Sequence, residues 1–427
     1  MPTERDTAFQ MAASNIRFGR GITREIGMDL VDLKARRTML VIDPALRDHP
    51  VGHTVLESLK QNDIGFEVFD DLSIEPTDAS FKAAADCATQ GGFDSFVAVG
   101  GGSTIDTAKA ANLYSTHPSD FFDYVNAPIG LGHPIPGPLK PLIAVPTTAG
   151  TGSETTGVAI FDYVEKKAKT GIAHRYLKPT LGIVDSDNTR TLPPAVAAAT
   201  GLDVLSHALE SYTAMPFDER PMPARPLERP AYQGSNPVSD IWAIRALELM
   251  AEFLPRAYAD PSDEEARAQM LLAAAIAGIG FGNAGVHLPH GMSYPVAGMV
   301  RGHRPDGYVV DHAMVPHGIS VILNTPAVVR FTASANPERH LRGAEALGAD
   351  VSDASPSEAG EVLAERVIHF MRTLGVPNGL AAVGYTTDDI PALVQGTLPQ
   401  HRVTKLSPRP AGEAELTSLF EESMTIW

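Results

Sequence analysis

The sequence predicts an α/β domain over residues 1–191 followed by an all-α domain over residues 192–427. Three observations carry that prediction. In the first part of the chain, short β-branched runs alternate with segments of helical spacing, the pattern of strand–helix–strand units around a parallel sheet. After Thr191-Leu192-Pro193-Pro194 the texture turns Ala/Leu-rich and strand signals stop. With 427 residues, 44% of them hydrophobic and 20% charged, the chain can fill two cores.

Element by element, TMLVID (38–43) is a buried strand ending in an Asp-Pro turn. VLESLKQ continues as helix, FEVF as strand, and FKAAADCATQ as a helix closed by Gly91 and Gly92. SFVAVG is the next strand, STIDTAKAANLY the next helix, and PLIAVPTT (141–148) a further strand. TGIAH and LGIVDS read as two more short strands. Beyond the double proline, AVAAATG, DVLSHALESYT, DIWAIRALELMAEFLPRAY, EEARAQMLLAAAIAGIG, SEAGEVLAERVIHFMRTLG and AELTSLFEESMTIW read as helices. Residues 215–237 carry Pro216, Pro221, Pro223, Pro226, Pro230 and Pro237, which forbid a regular helix or central strand and predict a long loop.

The formal net charge is −17, so phosphate backbones and anionic membranes are repelled and neither is an expected partner. Cys87 is the single cysteine, which excludes an intrachain disulfide and suits a reducing compartment. Its place in FKAAADCATQ fits a small packed side chain. MPTERDTAFQMAAS has no apolar segment of the kind that secretory signals require, and LLAAAIAGIGFG is too short to span a membrane. A cytoplasmic location is expected, or the mitochondrial matrix in a eukaryote.

SFVAVG-GGST-IDTAK places a glycine loop between a strand and a helix. Gly100, Gly101 and Gly102 allow backbone to approach a pyrophosphate, and the helix from Ser103 offers free N–H groups. The pattern is neither GxGxxG, since Ile105 takes the third position, nor a GK[ST] phosphate loop, and a tight strand-to-helix turn would use the same glycines. Asp43, at the end of the first strand, suits ribose hydroxyls and repels a 2′-phosphate, favouring NAD over NADP; an Asp-Pro turn is the simpler use. PTTAGTGSE adds the hydroxyls of Thr147, Thr148, Thr151 and Ser153. Asp106 in the helix and Lys169 further on complete the candidate cofactor set.

Asp203 and His207 are four apart in LDVLSHALES and share a helix face. His290 and His317 lie in two later segments, each followed by glycine. Three imidazoles and a carboxylate suit a first-row divalent ion with an open position. His287 is three residues before His290, and spacing alone does not choose between them. A metal set and a dinucleotide loop in one chain point to metal-assisted hydride transfer.

GGGSTIDTAKA, PTTAGTGSE, GLDVLSHALESY, HGMSYPVAG and VPHGIS together resemble the iron-dependent alcohol dehydrogenases, in order and spacing from about residue 15 to the end. RPAYQGSNPVSDIWA, GIGFGNAGVHLPHGMSYPVAG, VDHAMVPHGISV and GLAAVGYTTDDIPALVQGTLPQHRVTKLSPRP resemble its hydroxyacid–oxoacid transhydrogenase branch. The resemblance implies a Rossmann-like domain before a helical one, the dehydroquinate synthase-like arrangement, with the active site between them. It implies Fe(II), or zinc as isolated, on Asp203, His207, His290 and His317, with His287 outside the set. It implies NAD contacts at Gly100, Gly101, Gly102, Ser103, Thr147, Thr148 and Asp43. Small hydroxy acids and oxo acids are the expected partners, and a homo-oligomer the expected assembly. Many simple members have a second His four residues after the third ligand; here Tyr294 stands there as a candidate proton relay. Arg220, Arg225, Arg229, Arg301 and Arg304 either meet substrate carboxylates or form a solvated basic loop. Hydride transfer from 4-hydroxybutyrate to 2-oxoglutarate through bound NAD is the leading expectation. An ordinary NAD-linked alcohol or 4-hydroxybutyrate dehydrogenase comes second. A dehydroquinate-synthase-like lyase is disfavoured by the Asp-x-x-x-His helix, and a non-enzymatic scaffold by the intact ligand set.

Overall fold

A computed structural model describes residues 4–427 apart from 167, 309 and 311, and the chain divides into two compact units. The first spans Ala12–Leu192; the second joins Pro193–Trp427 to the N-terminal segment through Met11.

The first unit runs β1 (Asn15–Phe18), α1 (Ile26–Asp32), β2 (Arg37–Ile42), α2 (Pro50–Gln61), β3 (Gly65–Phe69), α3 (Asp78–Gly91), β4 (Ser95–Gly100), α4 (Gly102–Thr116), α5 (Phe121–Tyr124), β5 (Leu142–Pro146), β6 (Val158–Tyr163), β7 (Ala168–Ala173) and β8 (Leu181–Val184). Six strands form a sheet in the order β1-β8-β5-β4-β2-β3, and each pairing is parallel. A parallel sheet must be covered on both faces, and the sequence meets that demand by alternation. Leu40, Ile42, Val97 and Val99 pack with Ile26, Leu30, Val55 and Leu59 of α1 and α2 on one face. Met39, Val41, Phe96 and Ala98 pack with Ala84, Ala88, Ile105 and Ala108 of α3 and α4 on the other.

The chain winds outward from β2 to β3, then crosses back to β4 and continues to β5 on the far side. The strand order therefore reverses between β2 and β4, the switch point where doubly wound sheets bind ligands beyond the strand ends. Asp43 follows β2 there and Gly100–Gly102 follow β4, with Ile42 in register with Val99. TGIAH does not join this sheet. It lies within β7, which pairs antiparallel with β6, a strand that sequence reasoning passed over along with β1.

The second unit contains α6 (Pro194–Thr213), α7 (Pro237–Ala259), α8 (Glu264–Ala284), α9 (Leu288–Gly298), α10 (His317–Ile322), α11 (Thr325–Thr332), α12 (Pro337–Ala346), α13 (Ala359–Thr373), α14 (Ile390–Thr397), α15 (His401–Thr404) and α16 (Glu413–Ser423). No single helix among the described residues is long and apolar enough to cross a membrane.

The first residues were expected with the α/β domain, yet they lie on the helical unit. Asp6 is fully buried there, and its carboxylate receives Arg220 Nη2 at 2.6 Å and Arg229 Nη2 at 2.9 Å. Gln10 and Gln233 exchange hydrogen bonds of 2.9 and 2.8 Å beside it. The proline-rich loop is thus fastened by the N-terminal segment, which gives Arg220 and Arg229 a structural task. Arg301 pairs with Asp389, and Arg225 and Arg304 are exposed. Three of the five arginines, Arg220, Arg229 and Arg301, thus have carboxylates of the chain itself as partners.

Candidate active site

Three helices bring the metal candidates together. Asp203 and His207 share the inner face of α6, and both are buried. His290 comes from the first turn of α9, and His317 opens α10. Gly318 lets α10 reach that position: a Cβ there would stand 1.9 Å from Ala199 O and 2.9 Å from Asp203 Cβ. Gly291 does the same for α9, where a Cβ would meet Thr404 Cγ2 at 2.8 Å.

Asp203 Oδ1 lies 3.6 Å from His207 Nε2, 3.6 Å from His290 Nε2 and 3.8 Å from His317 Nε2. The ligand atoms of Asp203, His207 and His290 all fall within 4.8 Å of one another. Asp203 Oδ1 and His290 Nε2 are buried and hydrogen-bonded to nothing. Buried polar atoms rarely stay unpaired, and separations of about 3.4 Å are what tetrahedral ligands at about 2.1 Å from a common ion show. The donor set therefore fits a divalent metal.

Electrostatics agree. Burial pushes His207 down to about 4, so it is the neutral, ligating imidazole at neutral pH. Burial opposes the charge on Asp203, but His207 and His317 outweigh it and hold the carboxyl below its usual range. His290 is pushed up to about 10, because Glu210 and Asp203 together overcome the burial that opposes its charge.

Glu210 is the residue that sequence reasoning missed. It is 1% exposed on α6, and its Oε1 accepts from His290 Nδ1 at 2.6 Å. Its Oε2 accepts from the backbone N–H of His287 at 2.7 Å and of His290 at 3.4 Å, satisfying the start of α9. Nδ1 thus turns its proton to Glu210 and Nε2 faces Asp203, where a bound metal would displace a proton, the carboxylate–histidine arrangement that orients metal ligands. The signal was in the sequence, since Asp203, His207 and Glu210 fall at i, i+4 and i+7 of one helix.

His287 stands apart from this cluster. Its Nε2 bonds Thr213 Oγ1 at 3.0 Å, and burial pushes it down to about 4. Tyr294 lies one turn after His290, and its oxygen accepts from Arg402 Nη2 at 2.8 Å. Its own proton has no protein acceptor among the described residues. Phe281 stacks on the His207 ring at 3.9 Å and covers that ligand with an apolar face.

In the first unit the glycine loop is tightly built. A Cβ at Gly100 would meet Thr104 Oγ1 at 2.3 Å, and one at Gly102 would meet Thr151 Cγ2 at 2.6 Å. Gly101 meets only Thr148, at 3.4 Å. Asp43 Oδ1 caps Ala45 N at 2.9 Å, and Oδ2 has no hydrogen-bond partner among the described residues. Ser103 lies in the first turn of α4 just after the loop, and Thr147 is tied through its N–H to Gly100 O at 3.1 Å. Other members of the expected cofactor set are engaged in holding the unit together. Asp106 accepts from Lys109, from Ser153 Oγ at 3.0 Å and from Ile160 N at 2.9 Å. Thr151 Oγ1 accepts from Ser153 N at 3.2 Å. Lys169 is buried against Glu75 and Asp162, so its charge is already met.

Comparison with known proteins follows the same division. The iron-containing alcohol dehydrogenase family matches residues 13–186, and the C-terminal region of the Fe-containing alcohol dehydrogenase family matches residues 228–424. The mitochondrial hydroxyacid-oxoacid transhydrogenase of Bos taurus is 58% identical over 99% of this chain and 91% of its own length. A solved 1,3-propanediol oxidoreductase superposes with a TM-score of 0.85 at 27% identity, covering 97% of this chain and 100% of its own. Sulfoacetaldehyde reductase from Bifidobacterium kashiwanohense, solved with NAD+, gives 0.80 at 26% identity over 99% and 100%. Sequence and fold agree from end to end, and the chain belongs to the iron-containing alcohol dehydrogenase family of oxidoreductases.

Proposed function

We propose that this chain is a hydroxyacid–oxoacid transhydrogenase. 4-Hydroxybutyrate gives a hydride to bound NAD+ and a proton to the protein, and leaves as succinate semialdehyde. The NADH so formed returns the hydride, with a proton, to 2-oxoglutarate, giving 2-hydroxyglutarate. The observation that carries this reading is the convergence of three imidazole nitrogens on Asp203 Oδ1, in a chain 58% identical to a protein of that name.

Each set of residues has a task in this scheme. Asp203, His207, His290 and His317 would hold iron, which supplies Lewis acidity toward the reacting oxygen. Glu210 holds the Nδ1 side of His290 and so aims Nε2 at the position the metal would take. Gly100–Gly102 and the N-terminus of α4 offer backbone N–H groups to the pyrophosphate of NAD. Asp43 accepts a ribose hydroxyl at Oδ2 and repels a 2′-phosphate, with Thr147 and Thr148 beside the loop. Tyr294, whose oxygen already accepts from Arg402, has its proton available for exchange with the reacting oxygen. In a eukaryote the mitochondrial matrix would be its place; the Bos taurus relative is named as mitochondrial.

The test is to incubate the protein as purified, with no nucleotide added, with both acids. Equal amounts of succinate semialdehyde and 2-hydroxyglutarate, far above the enzyme concentration, support the reading. Products that form only when NAD is supplied indicate a dehydrogenase with exchangeable cofactor.

A further inference from the structure

Among the described residues, Arg402 is a cation of the helical unit that meets no acidic side chain. Several other part-buried arginines of this acidic chain meet carboxylates: Arg220 and Arg229 meet Asp6, and Arg339 meets Asp240. Arg402 has only aromatic company. Its Nη2 donates to Tyr294 Oη at 2.8 Å, and its guanidinium carbon lies 5.0 Å from the centre of the Tyr232 ring. Its Nη1 is buried and has no hydrogen-bond partner. An unpaired buried charge of this kind opposes folding by several kcal/mol, and proteins rarely retain one without an anion to meet it.

Its position shows which anion. Two lines of contact lead from the guanidinium to the metal candidates. Tyr294 is one helical turn from His290 on α9. Tyr232 meets Phe281 edge-on at 6.4 Å, and Phe281 stacks on His207 at 3.9 Å. Gly291 is what lets the α15 turn press against α9 at this point, since a Cβ would strike Thr404 and crowd Val403. The guanidinium is therefore held between Tyr294, one helical turn from His290, and Tyr232, which meets the Phe281 ring that covers His207, and the two phenol rings set its orientation.

We propose that Arg402 is the anchor for the substrate carboxylate and sets the preference for hydroxy acids over neutral alcohols. The inference rests on the transhydrogenase reading above. Both acids carry a carboxylate away from the reacting carbon, so one guanidinium serves each in turn. A planar fork gives a carboxylate two parallel charge-assisted bonds, which a neutral alcohol cannot accept. This assigns the task to one residue of α15, while Arg220 and Arg229 of the proline-rich loop are taken up by Asp6.

The experiment compares metal- and NAD-loaded wild type, Arg402→Met and Arg402→Lys. Reduction of the bound nicotinamide is followed in a single half-reaction with 4-hydroxybutyrate and with 1-butanol, an alcohol of equal chain length without the carboxylate. Inhibition by butyrate, which has the carboxylate and no hydroxyl, is measured beside it. The preference for 4-hydroxybutyrate should fall about thirtyfold in Arg402→Met, and the inhibition constant of butyrate should rise by a similar factor. Arg402→Lys, which keeps the charge and loses the fork, should recover part of both. A preference and a butyrate constant that stay at wild-type values in Arg402→Met overturn the proposal, whether the two rates fall together or neither falls. A wild type with no preference for the acid overturns the transhydrogenase reading and this proposal with it.

Discussion

Replacing Glu210 by Gln isolates the contribution of the carboxylate behind His290. The native group accepts three N–H bonds, from His290 Nδ1 at 2.6 Å and from the backbone of His287 at 2.7 Å and His290 at 3.4 Å. A glutamine offers one acceptor oxygen in place of two and turns an NH2 toward a donor. Either the imidazole N–H or the helix-start N–H is then left buried and unmet, at a cost of about 1–3 kcal/mol. If the ring loses its partner, Nδ1 is no longer held and Nε2 is no longer aimed at the metal position. Outer-shell losses of this type weaken metal binding by roughly 10–100-fold, or about 1.4–2.7 kcal/mol, which agrees with the first figure. The assay is competition for iron against a chelator of known affinity, with circular dichroism to confirm the fold. Iron affinity equal to wild type in a folded Glu210→Gln protein would refute the reasoning.

Four further outcomes are expected. His290→Ala should lose iron while His287→Ala keeps it, because His287 is turned to Thr213; elemental analysis showing the reverse would exchange the two assignments. Asp43→Gly should narrow the NAD/NADP preference by removing a negative charge at the end of β2, and an unchanged ratio of kcat/KM values would leave Asp43 a turn residue only. Gly318→Ala should lower iron content and thermal stability together, since α10 must move away from Ala199 O; a wild-type Tm and full iron would show that α10 can shift without cost. Asp6→Asn should lower stability by about 2 kcal/mol at neutral pH. The Asp6 carboxyl is held below its usual range, chiefly by its hydrogen bond with Arg229, so its contribution is present above about pH 4 and fades as pH falls through the folded value. The Tm gap between wild type and variant should close in acid, and a gap independent of pH would assign the effect to packing.

The strands with strong apolar runs, β2, β4 and β5, were legible because buried parallel strands need continuous hydrophobic sequence. NIRF is a four-residue edge strand with two apolar side chains, and that is too little periodicity to read. VAIFDY pairs with TGIAH in a separate hairpin, a pairing that depends on tertiary context. Asp203, His207, His290 and His317 were visible because histidine beside glycine is unusual in an Ala/Leu-rich helical region. Glu210 lay in view on the same helix stripe, but acidic residues on helices are ordinary, and its burial was not. The arginines of the loop were read by their abundance. Asp6, far away in sequence, takes up Arg220 and Arg229, whereas Arg402 comes beside Tyr294 of α9 through packing at Gly291.

The central claim is that one bound nicotinamide passes a hydride between two acids. It is tested by supplying 4-hydroxybutyrate with deuterium on its hydroxyl-bearing carbon, together with unlabelled 2-oxoglutarate and an excess of unlabelled NADH in solution. Deuterium recovered undiluted on the hydroxyl-bearing carbon of 2-hydroxyglutarate is the predicted result. Label lost to the free NADH pool, with unlabelled 2-hydroxyglutarate as the product, would contradict the account.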